Sequence, residues 1–258
     1  MIAFFHTILY VPIYNLLIFF VGILPRGDVG LALVCVVVFI RLLILPLSLS
    51  MIHTQKAMQL LSPEIKKIQE KYKNDKETLA KETFALYKKY KINPFASILT
   101  LLIQLPILLT LYFIVRAKGL YHVDTSLLYH FVHVPALISP LFLGYFVLSS
   151  PNIILALLAG ISQFAYAYFG ITVPPKQPES PQKKGTSKEA TPANMQEEFG
   201  RAMTMQMRYM LPVLYAFIGY TSGAIALYFI TGNIVMLLQL VIAHFTKRKY
   251  PANDIAHV

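Results

Sequence analysis

One cysteine, Cys35, stands in 258 residues, so no disulfide framework can form within the chain. Charge is scarce as well. Only 14% of residues are Asp, Glu, Lys or Arg against 56% hydrophobic, and the mean hydropathy is +0.58. That balance excludes an ordinary soluble domain and points to a multi-span helical membrane protein. The apolar runs are continuous and do not alternate over segments of about ten residues, which excludes a β-barrel. There is no Gly-rich phosphate loop and no cofactor attachment motif, so no cofactor is expected. The histidines are scattered. His130 and His133 can share a helix face but have no carboxylate beside them, so no metal site is expected either.

Acid is scarcer than base. Twelve Asp and Glu face 23 Lys and Arg, giving a net charge of +11. The basic residues fall mostly between apolar runs, so their first use is topological. At the N-terminus the signs of a signal peptide are missing: no basic residue precedes the apolar run and no small-x-small site follows it. His6, Tyr10, Pro12, Tyr14 and Asn15 also make this stretch a poor span. Pro12 divides it and leaves Ile13 to Leu24, a short apolar piece expected to lie along the outer face. With the turn Pro25-Arg26-Gly27-Asp28, residues 1–28 form that external element.

What is present begins with Val29 to Ser50, long enough to cross a bilayer, which takes about 20 residues. It holds one ionisable residue, Arg41, near its middle. A guanidinium at that depth costs roughly 2.5–3.5 kcal/mol on insertion scales. Residues 51–94 are polar. From His53 to Asn93 there are ten Lys and five acidic residues. Met58, Leu61, Ile65, Ile68 and Tyr72 step by three and four, and Leu79, Thr83, Leu86 and Tyr90 repeat the spacing. Ser62-Pro63-Glu64 reads as a helix start and Asn74-Asp75 as a turn, giving an antiparallel helical hairpin.

Residues 95–115 form the second span, with Gln104 and Pro106. Residues 116–151 are an external loop; within it Pro135 to Ser149 is apolar but too short to cross, and reads as interfacial or re-entrant. The third span is 152–171, with Ser162, Gln163, Tyr166 and Tyr168. Residues 172–202, rich in Pro, Ser, Thr and Lys from Val173 to Gln196, read as a disordered loop. Spans four and five are 203–220, with Pro212, and 224–245, with Thr231, Asn233 and Gln239; a short tail, 246–258, begins with Lys247-Arg248-Lys249 near its start. Five spans put the Lys-rich hairpin, the Pro/Lys loop and the tail on one side. That side carries most of the Lys and Arg, so it is cytoplasmic, with the N-terminus outside and the C-terminus inside. The expected fold class is all-α, a polytopic membrane protein.

Four stretches in order, FIRLLILPLSL, SPEIKKIQEKYKND, KINPFASILTLLIQLPILLTLYF and TSGAIALYFITGN, resemble the core of the YidC family. It is the bacterial branch of the superfamily that includes the mitochondrial oxidase-assembly and chloroplast albino proteins. The resemblance runs from about Pro12 to Phe245 and lacks the large periplasmic domain of many members. It implies a non-enzymatic insertase and chaperone for small membrane proteins in the bacterial inner membrane. It further implies five transmembrane helices around a hydrophilic groove open to the cytoplasm and to lipid. Arg41 takes the place of the charged residue in the groove, and Gln104 that of the glutamine in an I/L-Q-x-P pattern. Asn233 matches a polar position of the last span, while Gln163 and Thr231 fall where groove-lining polar residues would lie. The implied partners are nascent membrane proteins and lipid, with a Sec translocon and a ribosome as further candidates and no nucleic-acid specificity. The loop 173–196 and the segment 116–152 are longer than is usual in the family, and the tail is short.

Two readings of Arg41 stand beside the groove. It can snorkel, or bond to Gln104 or a carbonyl across helices. In a different functional class, a small anion transporter or channel would use Arg41 as its selectivity charge. Such a protein would favour internal repeats, and none is found.

Overall fold

A computed structural model describes residues 6–72, 75–90, 96–116, 123–170 and 192–245. The loop at 171–191, the tail at 246–258 and Asn74 of the expected turn lie outside these residues. The described chain is mostly helical. A π-helical turn, His6–Tyr10, runs into α1, Val11–Ile23. Then follow α2, Val29–Leu43; α3, Leu45–Lys71; α4, Lys76–Lys89; and α5, Ala96–Arg116. Two short strands, β1 at Leu141–Phe142 and β2 at Phe146–Val147, pair antiparallel with Leu141 opposite Val147. With an isolated bridge between Asp28 and Ser139, they depart from the all-α expectation among the described residues. The last helices are α6, Ile153–Gly170; α7, Pro192–Tyr220; and α8, Gly223–Phe245.

Among the described residues three helical stretches are long and apolar enough to cross a membrane: His6–Ile23, Ile153–Gly170 and Gly223–Phe245. A fourth, Val29–Leu43 with Leu45–Thr54, passes only as a pair bent by 63°. The bend has a local cause. Pro46 brings no N–H to the carbonyl of Leu42, four residues back, and its ring crowds that carbonyl. So the expected span 29–50 is built from two helices, and Arg41 sits in the last turn of the first. The second helix does not start at Ser62. It runs unbroken through Pro63 to Lys71 and packs on α4 through Ala57, Leu61 and Leu86, flanked by Ile65, Ile68, Tyr87 and Tyr90. Asp75 caps α4, accepting from the amides of Glu77 and Thr78.

Two more expectations need correcting. Pro12 does not divide the N-terminal stretch: it occupies the first turn of α1, where a missing N–H costs nothing. And α7 begins at Pro192, so the last residues of the expected loop, 192–202, are helical.

Helices α6, α7 and α8 pack on one another, α2 lies on α8, and α1 lies on α2. Small residues allow the close approach: a Cβ on Gly160 of α6 would stand 3.0 Å from Ala216 and 3.1 Å from the Pro212 carbonyl of α7. The core runs through Leu17, Val29, Leu33, Val36, Leu111, Ile114, Leu148 and Tyr228. Outward, α8 leaves Ile234, Leu238, Val241 and Phe245 exposed, and α7 leaves Met210, Val213, Leu214 and Phe217. Apolar faces at helical spacing on successive elements suit contact with lipid.

The segment 123–150 holds one 3-10 turn, Thr125–Leu127, and the two short strands. It is a folded strap across one end of the bundle. Asn15 of α1, 2% exposed, donates to the carbonyl of Leu127 at 2.7 Å and accepts from the amide of Tyr129 at 2.6 Å. Tyr14 accepts from the amide of Asp124. Two of the residues that make the stretch a poor span, Tyr14 and Asn15, are those that hold the strap. Asp28 caps α2 through the Leu31 amide and holds the β-turn through the Leu143 amide at 2.7 Å. Gly27, at φ +60°, lies so close to the Leu137 carbonyl that any Cβ would collide with it. At the far end, Leu148 accepts from Ser222 and from the amide of Ala224, and Gly223 donates to Ser150. The strap thus joins α1, the start of α2 and the start of α8.

Candidate functional site

Arg41 lies twelve residues into α2, about 18 Å at 1.5 Å per residue. Its position in the last turn sets the guanidinium near the carbonyl end of a helix, which favours a cation by about 0.3–1 kcal/mol. The side chain is 7% exposed. Its Nη2 donates to Oε1 of Gln104 on α5 at 2.8 Å, and Gln104 Nε2 donates to the hydroxyl of Tyr228 on α8 at 2.5 Å. The chain Arg41–Gln104–Tyr228 therefore links three helices. Gly232, one turn below Tyr228, makes room for it: a Cβ there would stand 3.3 Å from Arg41 Nη2. The hydroxyls of Tyr166, Tyr215 and Tyr228 all lie within the field of the guanidinium.

The structure brings Arg41 and Gln104 into direct contact. Thr231 and Asn233 on α8 and Gln163 on α6 are all buried, but none bonds to Arg41 among the described residues. Asn233 turns to the other side of α8, where its Nδ2 donates to Ser162 of α6 at 3.1 Å. It ties two helices together. Gln163, beside Ser162, is 3% exposed. The tyrosines and Gly232 escape a reading of the sequence because aromatic residues in spans pass as interfacial anchors. One signal was available: Tyr228 and Gly232 stand four apart on one helix face, beside Thr231.

Among the described residues the guanidinium is held but not neutralised. It offers five N–H donors, of which one is used among the described residues, on a neutral acceptor. The ion pair found among those residues, Lys81 with Glu77, lies on exposed α4. No group of three or more His, Cys, Asp or Glu side chains among the described residues is arranged to hold a metal.

The chain matches a known family pattern over most of its length. The family model described as 60Kd inner membrane protein covers residues 20–250. The chain belongs to the YidC family of 60Kd inner membrane proteins. A Clostridium tetani relative carrying the name membrane protein insertase YidC is 32% identical over 90% of this chain and 89% of its own length. An Oceanobacillus iheyensis YidC is 30% identical over 92% and 82%. The Bacillus subtilis membrane protein insertase MisCA is 31% identical over 86% and 73%. YidC proteins are non-enzymatic, and membership with these apolar helices makes the chain a multi-pass bacterial membrane protein.

Proposed function

We propose that this chain is a membrane protein insertase that receives small integral membrane proteins in a hydrophilic groove. Five spans enclose the groove: α2 with the start of α3, then α5, α6, α7 and α8. The observation that carries this is the Arg41 guanidinium, inside the bundle, bonded among the described residues to one neutral partner and paired with no carboxylate there. A polar segment crossing hydrocarbon loses the hydration of its backbone and charges. A wet groove reaching part-way in shortens the dry path. Arg41 raises the positive potential there and draws in acidic residues of a substrate's translocated tail. Gln104, Gln163 and Thr231 keep the path hydrated, and Asn233 fixes its wall through Ser162.

The hairpin of α3 and α4 lies on the cytoplasmic side, the strap on the outer side. The stretch His6–Ile23, α1 with the turn before it, is long and apolar enough to cross, but its partners argue that it lies across the outer end. Its first half carries Tyr14 and Asn15, bonded to 124–129, and near its end Gly22 faces Pro135. A helix flanked along its length by one strap runs beside that strap. Nascent membrane proteins and lipid are the partners; a Sec translocon and the ribosome are candidates for delivery.

Depletion tests the reading. Loss of the protein leaves small subunits with short external tails uninserted, measured by protease access to the tail. A purified, reconstituted preparation that conducts ions and inserts no such subunit rejects it.

A further inference from the structure

Below Arg41 the described structure contains a polar side chain that the site above does not use. Gln239 of α8 is 2% exposed, and its amide nitrogen has no hydrogen-bond partner among the described residues. Buried amides in native proteins are nearly always paired, so this one calls for a reason. Position supplies one. Gln239 follows Gly232 by seven residues, two helical turns, and so falls on the α8 face that carries Tyr228 and Gly232. It is six residues from the end of α8, at Phe245, whereas Gly232 lies thirteen from it. On that face, past Met236, Gln239 is therefore the next polar side chain from Arg41 toward the helix end. A second buried nitrogen without a partner, Nε2 of His53, lies on α3, which packs against α8. Both orphans sit on the two segments that continue past Arg41, and neither is near the strap in sequence.

We infer that Gln239 is a substrate-contacting residue of the groove, its amide donating to a backbone carbonyl of the inserting segment before that segment reaches Arg41. The inference rests on the insertase reading. The chemistry fits. A segment entering the membrane before its helix has formed presents unpaired carbonyls, each costly to leave unmade. A donor kept free at that depth accepts any sequence, because it reads backbone and not side chain. Ester carbonyls of lipid offer the same acceptor, and the crosslinking arms below separate the two sources.

The test uses the full chain in proteoliposomes, with a single-span substrate bearing a short acidic tail synthesised in their presence. Gln239→Leu removes the donor at nearly constant volume. Insertion falls about three- to tenfold, the worth of one hydrogen bond, and Gln239→Asn recovers part of it. The unfolding midpoint of Gln239→Leu is at or above the parent's, since an orphan has been removed. In a Cys35→Ser background, Gln239→Cys forms a disulfide with a cysteine in the substrate, and Leu238→Cys does not. Parental insertion by Gln239→Leu overturns the inference. So does a fall in insertion that only tracks loss of folded protein, or a Cys at 239 that reacts with a thiol-reactive lipid and not with substrate. In each of these the parent still inserts and the insertase reading stands. A parent that inserts nothing overturns both.

Discussion

The bond between Arg41 and Gln104 distinguishes a wet groove from a dry tie between helices. The perturbation is a double-mutant cycle of Arg41→Met and Gln104→Leu. At 2.8 Å, a charge-assisted hydrogen bond shielded from water is worth about 1.5–3 kcal/mol. If water reaches the guanidinium, it replaces the lost partner and the coupling falls below about 1 kcal/mol, the range measured for ordinary interhelical bonds in membranes. Gln104→Leu also strands the hydroxyl of Tyr228, which is 3% exposed. That cost appears with Arg41 present and with Arg41 absent, so the cycle cancels it. Unfolding free energies from denaturing-detergent titration of the four proteins in bicelles give the coupling. The hydrated groove predicts a value under about 1 kcal/mol, with Arg41→Met itself nearly neutral for stability. A coupling above about 2 kcal/mol refutes the reasoning. Arg41 would then be a buried structural tie, its charge committed to Gln104 and not offered to a substrate.

Arg41→Ala impairs insertion of substrates with acidic tails and Arg41→Lys largely restores it, read from the fraction of tail protected in vesicles; equal insertion by both variants removes the electrostatic role. Asp28→Ala strips the cap from α2 and the tie to Leu143, lowering stability by about 2–4 kcal/mol and raising amide exchange over 139–148. Gly160→Val forces α6 and α7 apart and costs about 1–3 kcal/mol by the same detergent titration. The carboxyl of Asp75 is held below its usual range, first by the Thr78 hydroxyl and then by the backbone amides it caps. A depressed carboxyl contributes its stability above its unfolded pKa, near 4, and loses it as pH falls through the lower folded value. Exchange at the Glu77 and Thr78 amides therefore rises below about pH 4, and an Asp75→Asn variant shows no such step.

The apolar runs that become α5, α6 and α8 are visible in the sequence because a helix in lipid must be apolar along nearly its whole length. Arg41 and Gln104 stand out for the reverse reason, each being costly where it lies. What escaped was decided over long separations. Nothing near Asn15 announces Leu127 and Tyr129, and nothing near Asp28 announces Leu143; the strap exists only through such pairs. Proline misled twice for a local reason. Pro63 sits after a serine, as at a helix start, yet α3 absorbs it, while Pro12 falls in a first turn that needs no N–H. Pro46 has the same chemistry and breaks its helix, so the outcome turned on packing that the sequence does not display.

The strap also constrains how the protein itself is made. Asp28 waits for Leu143, and Asn15 for Leu127, more than a hundred residues later in synthesis. On the proposed orientation, 123–150 must first be carried across the membrane. The stretch carries a single formal charge, that of Asp124, beside two histidines. On that orientation the strap is the part of the external segment composed almost free of the charges that make export hard, while Arg116 and Lys118 stand before it.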